Sequence, residues 1–215
     1  MKACVTISEQ NIKKAGSIVE KFDIAEIRLD LCEYNSQQIK SIFSIKKDLI
    51  ATYRCDKSKI NAKMETLKQA LESGAKYIDL EADLEDKHFS ELVLFARNYG
   101  AKIIYSYHNY NETESDERLH KIIDTGKEKG ADLIKLALKT NSKEDCIRIM
   151  NLYTYEKNLI AFGSGEDSKF TRIASLFLGA PFTYVYFGTA KNQLAEGQLG
   201  HRQFAEIMEG FGIEN

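Results

Sequence analysis

The stretch Glu128-Lys129-Gly130-Ala131-Asp132-Leu133-Ile134-Lys135-Leu136-Ala137-Leu138 reads as the end of a helix, a glycine cap and the strand that follows. Glycine just past a helical segment suits a C-terminal cap, and the apolar run behind it has strand character. The same opening recurs in Glu72-Ser73-Gly74-Ala75 and in Asn98-Tyr99-Gly100-Ala101. These are repeated helix-to-strand turns and not a solenoid, because the period drifts and the strands differ.

Outward from these turns, apolar or β-branched runs recur every 22 to 30 residues or so. They span Ala3 to Ser8, Ala25 to Asp30, Leu49 to Arg54, Tyr77 to Ala82, Lys102 to His108, Asp132 to Leu138, Leu159 to Ser164 and Phe182 to Gly188. Amphipathic segments lie between them at helical spacing, as in Leu84, Phe89, Leu92, Val93, Phe95 and Ala96. After Ser115, Leu119, Ile122 and Ile123 share one side with charges opposite. Eight such alternations predict an α/β fold, a compact (β/α)8 TIM barrel in a single domain over residues 1–215. An open doubly wound sheet is the competitor, but Ser8-Glu9-Gln10-Asn11 carries no GxGxxG turn.

The chain is 43% hydrophobic and 29% charged, with a formal net charge of -2. That balance gives no electrostatic reason to expect nucleic acid or an acidic membrane as partner. No apolar run is long enough to span a bilayer, and Met1-Lys2-Ala3-Cys4-Val5 enters the first strand without a signal-peptide core. Cys4, Cys32, Cys55 and Cys146 are scattered, with no CxxC pattern. Reduced thiols in a cytoplasmic protein are expected, with no disulfide framework and no zinc site.

In a barrel, chemistry gathers where strands end, and polar residues fall there throughout. The second run ends Glu26-Ile27-Arg28-Leu29-Asp30, the third Thr52-Tyr53-Arg54, the fourth Asp79-Leu80-Glu81 and the fifth Ser106-Tyr107-His108. Lys135 is on the sixth, Thr171-Arg172 follows the seventh, and Glu196-Gly197-Gln198 follows the eighth. Alternation puts Glu26, Arg28 and Asp30 on one face, and Asp79 with Glu81 on another. A barrel interior of mutually neutralised ions would explain some of them, but so many buried charges exceed what packing needs. Arg28, Arg54 and Arg172 together suit a planar, bidentate target such as a carboxylate.

Lys135 has two readings. Its aliphatic stem lies on the core while the head reaches water, or burial lowers its pKa and frees a nucleophilic amine for Schiff-base chemistry. His108, the one histidine at a strand end, could move a proton alpha to the resulting iminium. Metal binding is not expected, since no HxH, HExxH or acidic loop occurs. Gly163-Ser164-Gly165 lacks the spacing of a serine nucleophile and reads as a place of close approach to a ligand. Cys55 beside Arg54 reads as an inert thiol.

This set, in this order and over nearly the whole chain, resembles the type I 3-dehydroquinate dehydratases of the shikimate pathway. The resemblance implies that Lys135 forms the imine with 3-dehydroquinate and that His108 is the general acid/base. It also implies substrate binding by Glu26, Arg28, Arg54, Arg172 and Gln198, with Asp79 and Glu81 orienting the residues around them. No cofactor and no metal would be needed, and the chain would pair as a homodimer. Three features depart from the family. The glutamate four positions beyond the TxR arginine, which supports the histidine, is Ser58 here, leaving Asp56 or Glu81 to substitute. The closing loop Ser-Ala-Pro-Gly-Gln becomes Leu194-Ala195-Glu196-Gly197-Gln198, and Ser168-Lys169-Phe170 stands before Thr171-Arg172 without the family's glycine. The alternatives are another Schiff-base barrel of the aldolase type, with Gly163, Gly165 and Gly188 cradling a phosphate, or a catalytically silent metabolite-binding barrel.

Overall fold

The computed structural model describes residues 1–213, and each predicted strand is followed by helix. In order come β1 (Ala3–Ile7), α1 (Ile12–Val19), β2 (Ile24–Arg28), α2 (Leu29–Cys32), α3 (Ser36–Phe43), β3 (Asp48–Thr52), α4 (Ile60–Glu72), β4 (Tyr77–Glu81) and α5 (Asp86–Asn98). Then follow β5 (Lys102–Asn109), α6 (Asp116–Glu128), β6 (Leu133–Lys139), α7 (Lys143–Tyr155), β7 (Leu159–Ser164), α8 (Lys169–Phe177), β8 (Thr183–Tyr186), β9 (Leu199–Gly200) and α9 (His201–Gly210).

Within residues 4–104, β1, β2, β3 and β4 hydrogen-bond side by side in that order; beyond them, β5, β6 and β7 do the same, and β8 pairs with β9. Parallel pairing sets Arg28 beside Thr52, Thr52 beside Asp79, and Lys135 beside Ile160. Parallel strands covered on both faces carry continuous apolar runs. Leu49, Ile50 and Ala51 are accordingly all buried, as are Leu159, Ile160 and Ala161.

The chain packs as two compact units, residues 4–104 and residues 1–3 with 105 onward. In the first, β1 to β4 pair successively, and Leu67, Ala70 and Leu71 of α4 are buried on its apolar face. In the second, β6 and β7 pair along their length, with Ile149 and Leu152 of α7 and Leu176 of α8 buried.

The three glycine turns close as expected. Gly74, Gly100 and Gly130 have φ of 111°, 67° and 82°. The following alanine N–H donates back to the helix each time, Ala75 to Ala70, Ala101 to Ala96 and Ala131 to Gly126, all at 3.0 Å. This is the six-to-one bond of a Schellman end, which satisfies a terminal carbonyl.

Two boundaries differ from expectation. β2 stops at Arg28 and the chain turns into α2, leaving through Glu33 at φ 54°. Asp30 therefore does not share a strand face with Glu26 and Arg28. β3 stops at Thr52, so Arg54 belongs to the loop beyond it. The two-residue β9, paired with β8, was not expected at all.

Alanine at Gly100 would meet the left-handed backbone strain alone, because its Cβ finds nothing within 4 Å. At Gly74 the Cβ would also lie 2.9 Å from the Phe43 carbonyl oxygen. We expect Gly100→Ala to cost about 1 kcal/mol and Gly74→Ala about 2 kcal/mol or more by urea unfolding. Equal costs would remove the packing role assigned to Gly74.

Candidate active site

In residues 4–104, Arg28 and Arg54 are each matched to carboxylates of the same unit. Glu26, 5% exposed on β2, accepts a hydrogen bond from the Thr52 hydroxyl at 3.0 Å. Arg28 forks onto Asp30, Nε to Oδ1 at 3.0 Å and Nη2 to Oδ2 at 2.7 Å. Burial works against the Arg28 charge, but Asp30 and Glu26 outweigh it and raise the pKa. Arg54 bridges β4, donating Nη2 to Asp79 Oδ1 at 2.9 Å and placing Nη1 2.7 Å from Glu81 Oε1. Desolvation opposes its charge too, and Asp79, Glu81 and Glu26 more than compensate, raising the pKa. Asp79 and Glu81, two apart on one strand, thus share a partner as their alternation implied.

Asp56 and Glu81, the acidic groups considered in place of the family's glutamate, both have other work. Asp56 caps a short 3₁₀ turn over Lys57–Lys59, accepting from the Ser58 backbone N–H at 3.0 Å and from the Ser58 hydroxyl. Glu81 puts one oxygen on Arg54 and the other 2.9 Å from Lys63 Nζ. Burial pushes the Cys55 thiol up, which fits an inert residue.

In the second unit His108 stands near the end of β5, half-buried, its ring stacked near Tyr110 at 6.2 Å between centroids. Both flanking residues are tied to one carboxylate. Glu114 Oε1 accepts from the Tyr107 hydroxyl and, at 2.7 Å, from Asn109 Nδ2. Desolvation and that carboxylate push the Tyr107 pKa up to about 12. The next turn is held by Thr113 Oγ1 donating to the Lys139 carbonyl at 2.8 Å and by Arg148 donating to the carbonyls of Thr113 and Glu114. The backbone carrying His108 is therefore fixed on both sides.

Lys135 is 5% exposed, with Nζ 4.3 Å from the centre of the Tyr184 ring. Tyr184 meets Phe162 edge-on at 6.3 Å, and the Arg172 guanidinium lies 4.0 Å over Phe162. Two buried basic side chains thus rest on one pair of aromatic rings. Arg172 differs from Arg28 and Arg54 in a decisive way. It is 1% exposed, its Nε and Nη2 have no hydrogen-bond partner among the described residues, and burial pushes its pKa down to about 10.

Gln198, 4% exposed, accepts from the Leu194 N–H at 3.1 Å, closing its own loop. That loop sits on the turn after β7. Glu196 pairs with Lys139 at 2.9 Å, and a Cβ on Gly197 would lie 2.3 Å from the Gly165 carbonyl oxygen. The small residues after β7 therefore admit the chain's own segment. A Cβ on Gly163 would likewise strike Ser168 and Thr140 within 2.8 Å, so these glycines do not leave an open phosphate cradle.

A family model of the type I 3-dehydroquinases matches residues 3–214. The chain belongs to the type I 3-dehydroquinase family. The 3-dehydroquinate dehydratase of Methanocaldococcus jannaschii is 32% identical over 217 residues, covering 95% of this chain and 96% of that one. The enzyme of that name from Archaeoglobus fulgidus is 32% identical over 219 residues, covering 99% and 100%. The crystal structure of the type I 3-dehydroquinate dehydratase from Clostridium difficile matches with a TM-score of 0.83 at 21% identity, over 98% of this chain and 91% of that one. The fold is accordingly the α/β barrel of the type I 3-dehydroquinases, as the eight alternations implied.

Three participants escaped the sequence reading of this type I 3-dehydroquinase. Tyr184 and Phe162 are strand residues like many others until a cation is placed on them. Lys63 does carry a signal in the sequence. It interrupts the apolar stripe of α4 at Lys63, Leu67 and Ala70, as Lys135 interrupts β6.

Arg172 carries a desolvation cost that no carboxylate among the described residues offsets. Arg172→Met is therefore expected to raise the unfolding free energy by about 1–4 kcal/mol, measured by urea titration. A destabilised variant would show that the guanidinium holds the fold together.

Proposed function

We propose that this chain is a 3-dehydroquinate dehydratase acting through an imine on Lys135. The observation that carries this reading is the pairing of a buried amine with a buried, hydrogen-bond-poor guanidinium on one aromatic pair, Tyr184 and Phe162. A ketone that also bears a carboxylate suits that pair of cations, and 3-dehydroquinate carries both groups.

In this reading Arg172 takes the carboxylate through its Nε and Nη2 donors. The Lys135 amine adds to the ketone, and loss of water gives the iminium. His108 carries protons during that exchange and then removes the proton alpha to the iminium, which accepts the electron pair as an enamine. The enamine expels hydroxide from the adjacent carbon, with a proton supplied to make water, and hydrolysis of the imine returns Lys135 and 3-dehydroshikimate. No metal or cofactor enters. Glu26, Arg28 and Arg54 contact substrate hydroxyls, Gln198 closes on the substrate with its loop, and Asp79 with Glu81 holds Arg54.

We place this activity in one catalytic domain over residues 1–215, working in the cytoplasm. Its four cysteines form no disulfide, which suits a reducing compartment. The active form is a homodimer. Phe170, Phe177, Leu178 and Phe211 are exposed at 48–61%, with the Phe177 and Phe211 rings 5.2 Å apart, an apolar patch that a second copy would cover. Phe177→Glu is expected to leave a monomer in light scattering, and an unchanged mass would clear this face of the role.

Borohydride added during turnover of 3-dehydroquinate tests the chemistry, with peptide mass spectrometry as the readout. A reduced adduct on Lys135, absent in Lys135→Ala, is the expected result. His108→Ala should still form adduct slowly while turnover falls by about 10²–10⁴-fold. Turnover by the unaltered enzyme without any trappable adduct would defeat the imine mechanism.

A further inference from the structure

Lys63 is 2% exposed, a burial that lysine rarely tolerates without a partner. It reaches from α4 to Glu81 Oε2 at 2.9 Å, while Glu81 Oε1 lies 2.7 Å from Arg54 Nη1 and Arg54 Nη2 lies 2.9 Å from Asp79 Oδ1. The four side chains make an alternating chain of two cations and two carboxylates. The side chains of Asp79 and Lys63 at its ends are 0% and 3% exposed, and those of Arg54 and Glu81 between them 17% and 22%. A carboxylate bridging two cations is fixed in orientation, because each oxygen has its own partner. Without Lys63, Glu81 would carry an uncompensated charge and could turn both oxygens onto Arg54. The guanidinium would then be drawn off Asp79 and its positive field cancelled.

We infer that Lys63 is a positioning residue for Arg54, holding Glu81 so that the guanidinium stays directed and retains positive charge toward the substrate. The inference rests on the proposed reading of Arg54 as a substrate contact. Lys63 does not touch the reacting atoms, so its effect falls on binding more than on chemistry.

An open cleft lined by Cys55, Ile60, Leu84 and His88 reaches Lys63 and Glu81 and gives small solutes a route to this pair. The test is steady-state kinetics of Lys63→Met, Lys63→Arg and Lys63→Ala, each normalised to the fraction of enzyme trapped by borohydride. Lys63→Met should raise KM for 3-dehydroquinate about tenfold while kcat changes less than threefold, and Lys63→Arg should restore most of the loss. Ethylammonium supplied to Lys63→Ala should lower KM again, which a purely structural lysine would not show. Should Lys63→Met fail to fold, Lys63→Met/Glu81→Gln, which buries no lone charge, replaces it with the same expected rise in KM. An unchanged KM, or activity falling only with the trapped fraction, would overturn the inference. Continued adduct formation on Lys135 would leave the proposed function standing, and absence of any adduct in the unaltered enzyme would remove both.

Discussion

The cost of burying charge organises this protein. Each ion withdrawn from water must find a counter-ion, a set of hydrogen bonds or a ligand, or else give up its proton. Arg28 answers with Asp30 and Arg54 with Asp79 and Glu81, all from the chain itself. Among the described residues Arg172 answers only with the face of Phe162, and burial pushes its pKa down to about 10. Three arginines that looked equivalent in sequence are therefore of two kinds. Two are paired with carboxylates within the fold, and the third has Nε and Nη2 without a hydrogen-bond partner among the described residues. That difference is why we propose Arg172, rather than Arg28 or Arg54, as the seat of an anion.

Much of this was legible in the sequence because parallel strands and their helices obey short-range rules. The glycine turns at Gly74, Gly100 and Gly130 marked where strands would begin, and each closes by the same backbone bond. Lys135 stood out because a charged residue in an apolar run breaks a pattern only a few residues long. Boundaries failed where elements were too short to show a period. The single helical turn Leu29–Cys32 ends β2 early and takes Asp30 off its face, and the two residues of β9 offer no alternation to read. Partnerships failed where they are tertiary. Lys63 finds Glu81 from 18 residues away, and nothing in either neighbourhood names the other.

The groups proposed to act on substrate are fixed by different devices. Glu114 ties the residues on both sides of His108, so the histidine inherits its position from backbone held by Tyr107 and Asn109. The 194–198 loop is seated by glycine meeting glycine at Gly197 and Gly165 and by the ion pair of Glu196 with Lys139. An exposed pair of this kind contributes little on its own. The close backbone approach, which any Cβ would block, does more to fix where Gln198 lies.

The central claim is that Arg172 is the seat of a substrate carboxylate. Its most direct test is kcat/KM for 3-dehydroquinate against its carboxamide analogue, in the unaltered enzyme and in Arg172→Met. A buried ion pair lost on one side costs roughly 2–5 kcal/mol, so the unaltered enzyme should prefer the carboxylate by about 30-fold or more. The variant should treat the two substrates nearly alike. An unaltered enzyme that turns over both equally well would contradict the claim.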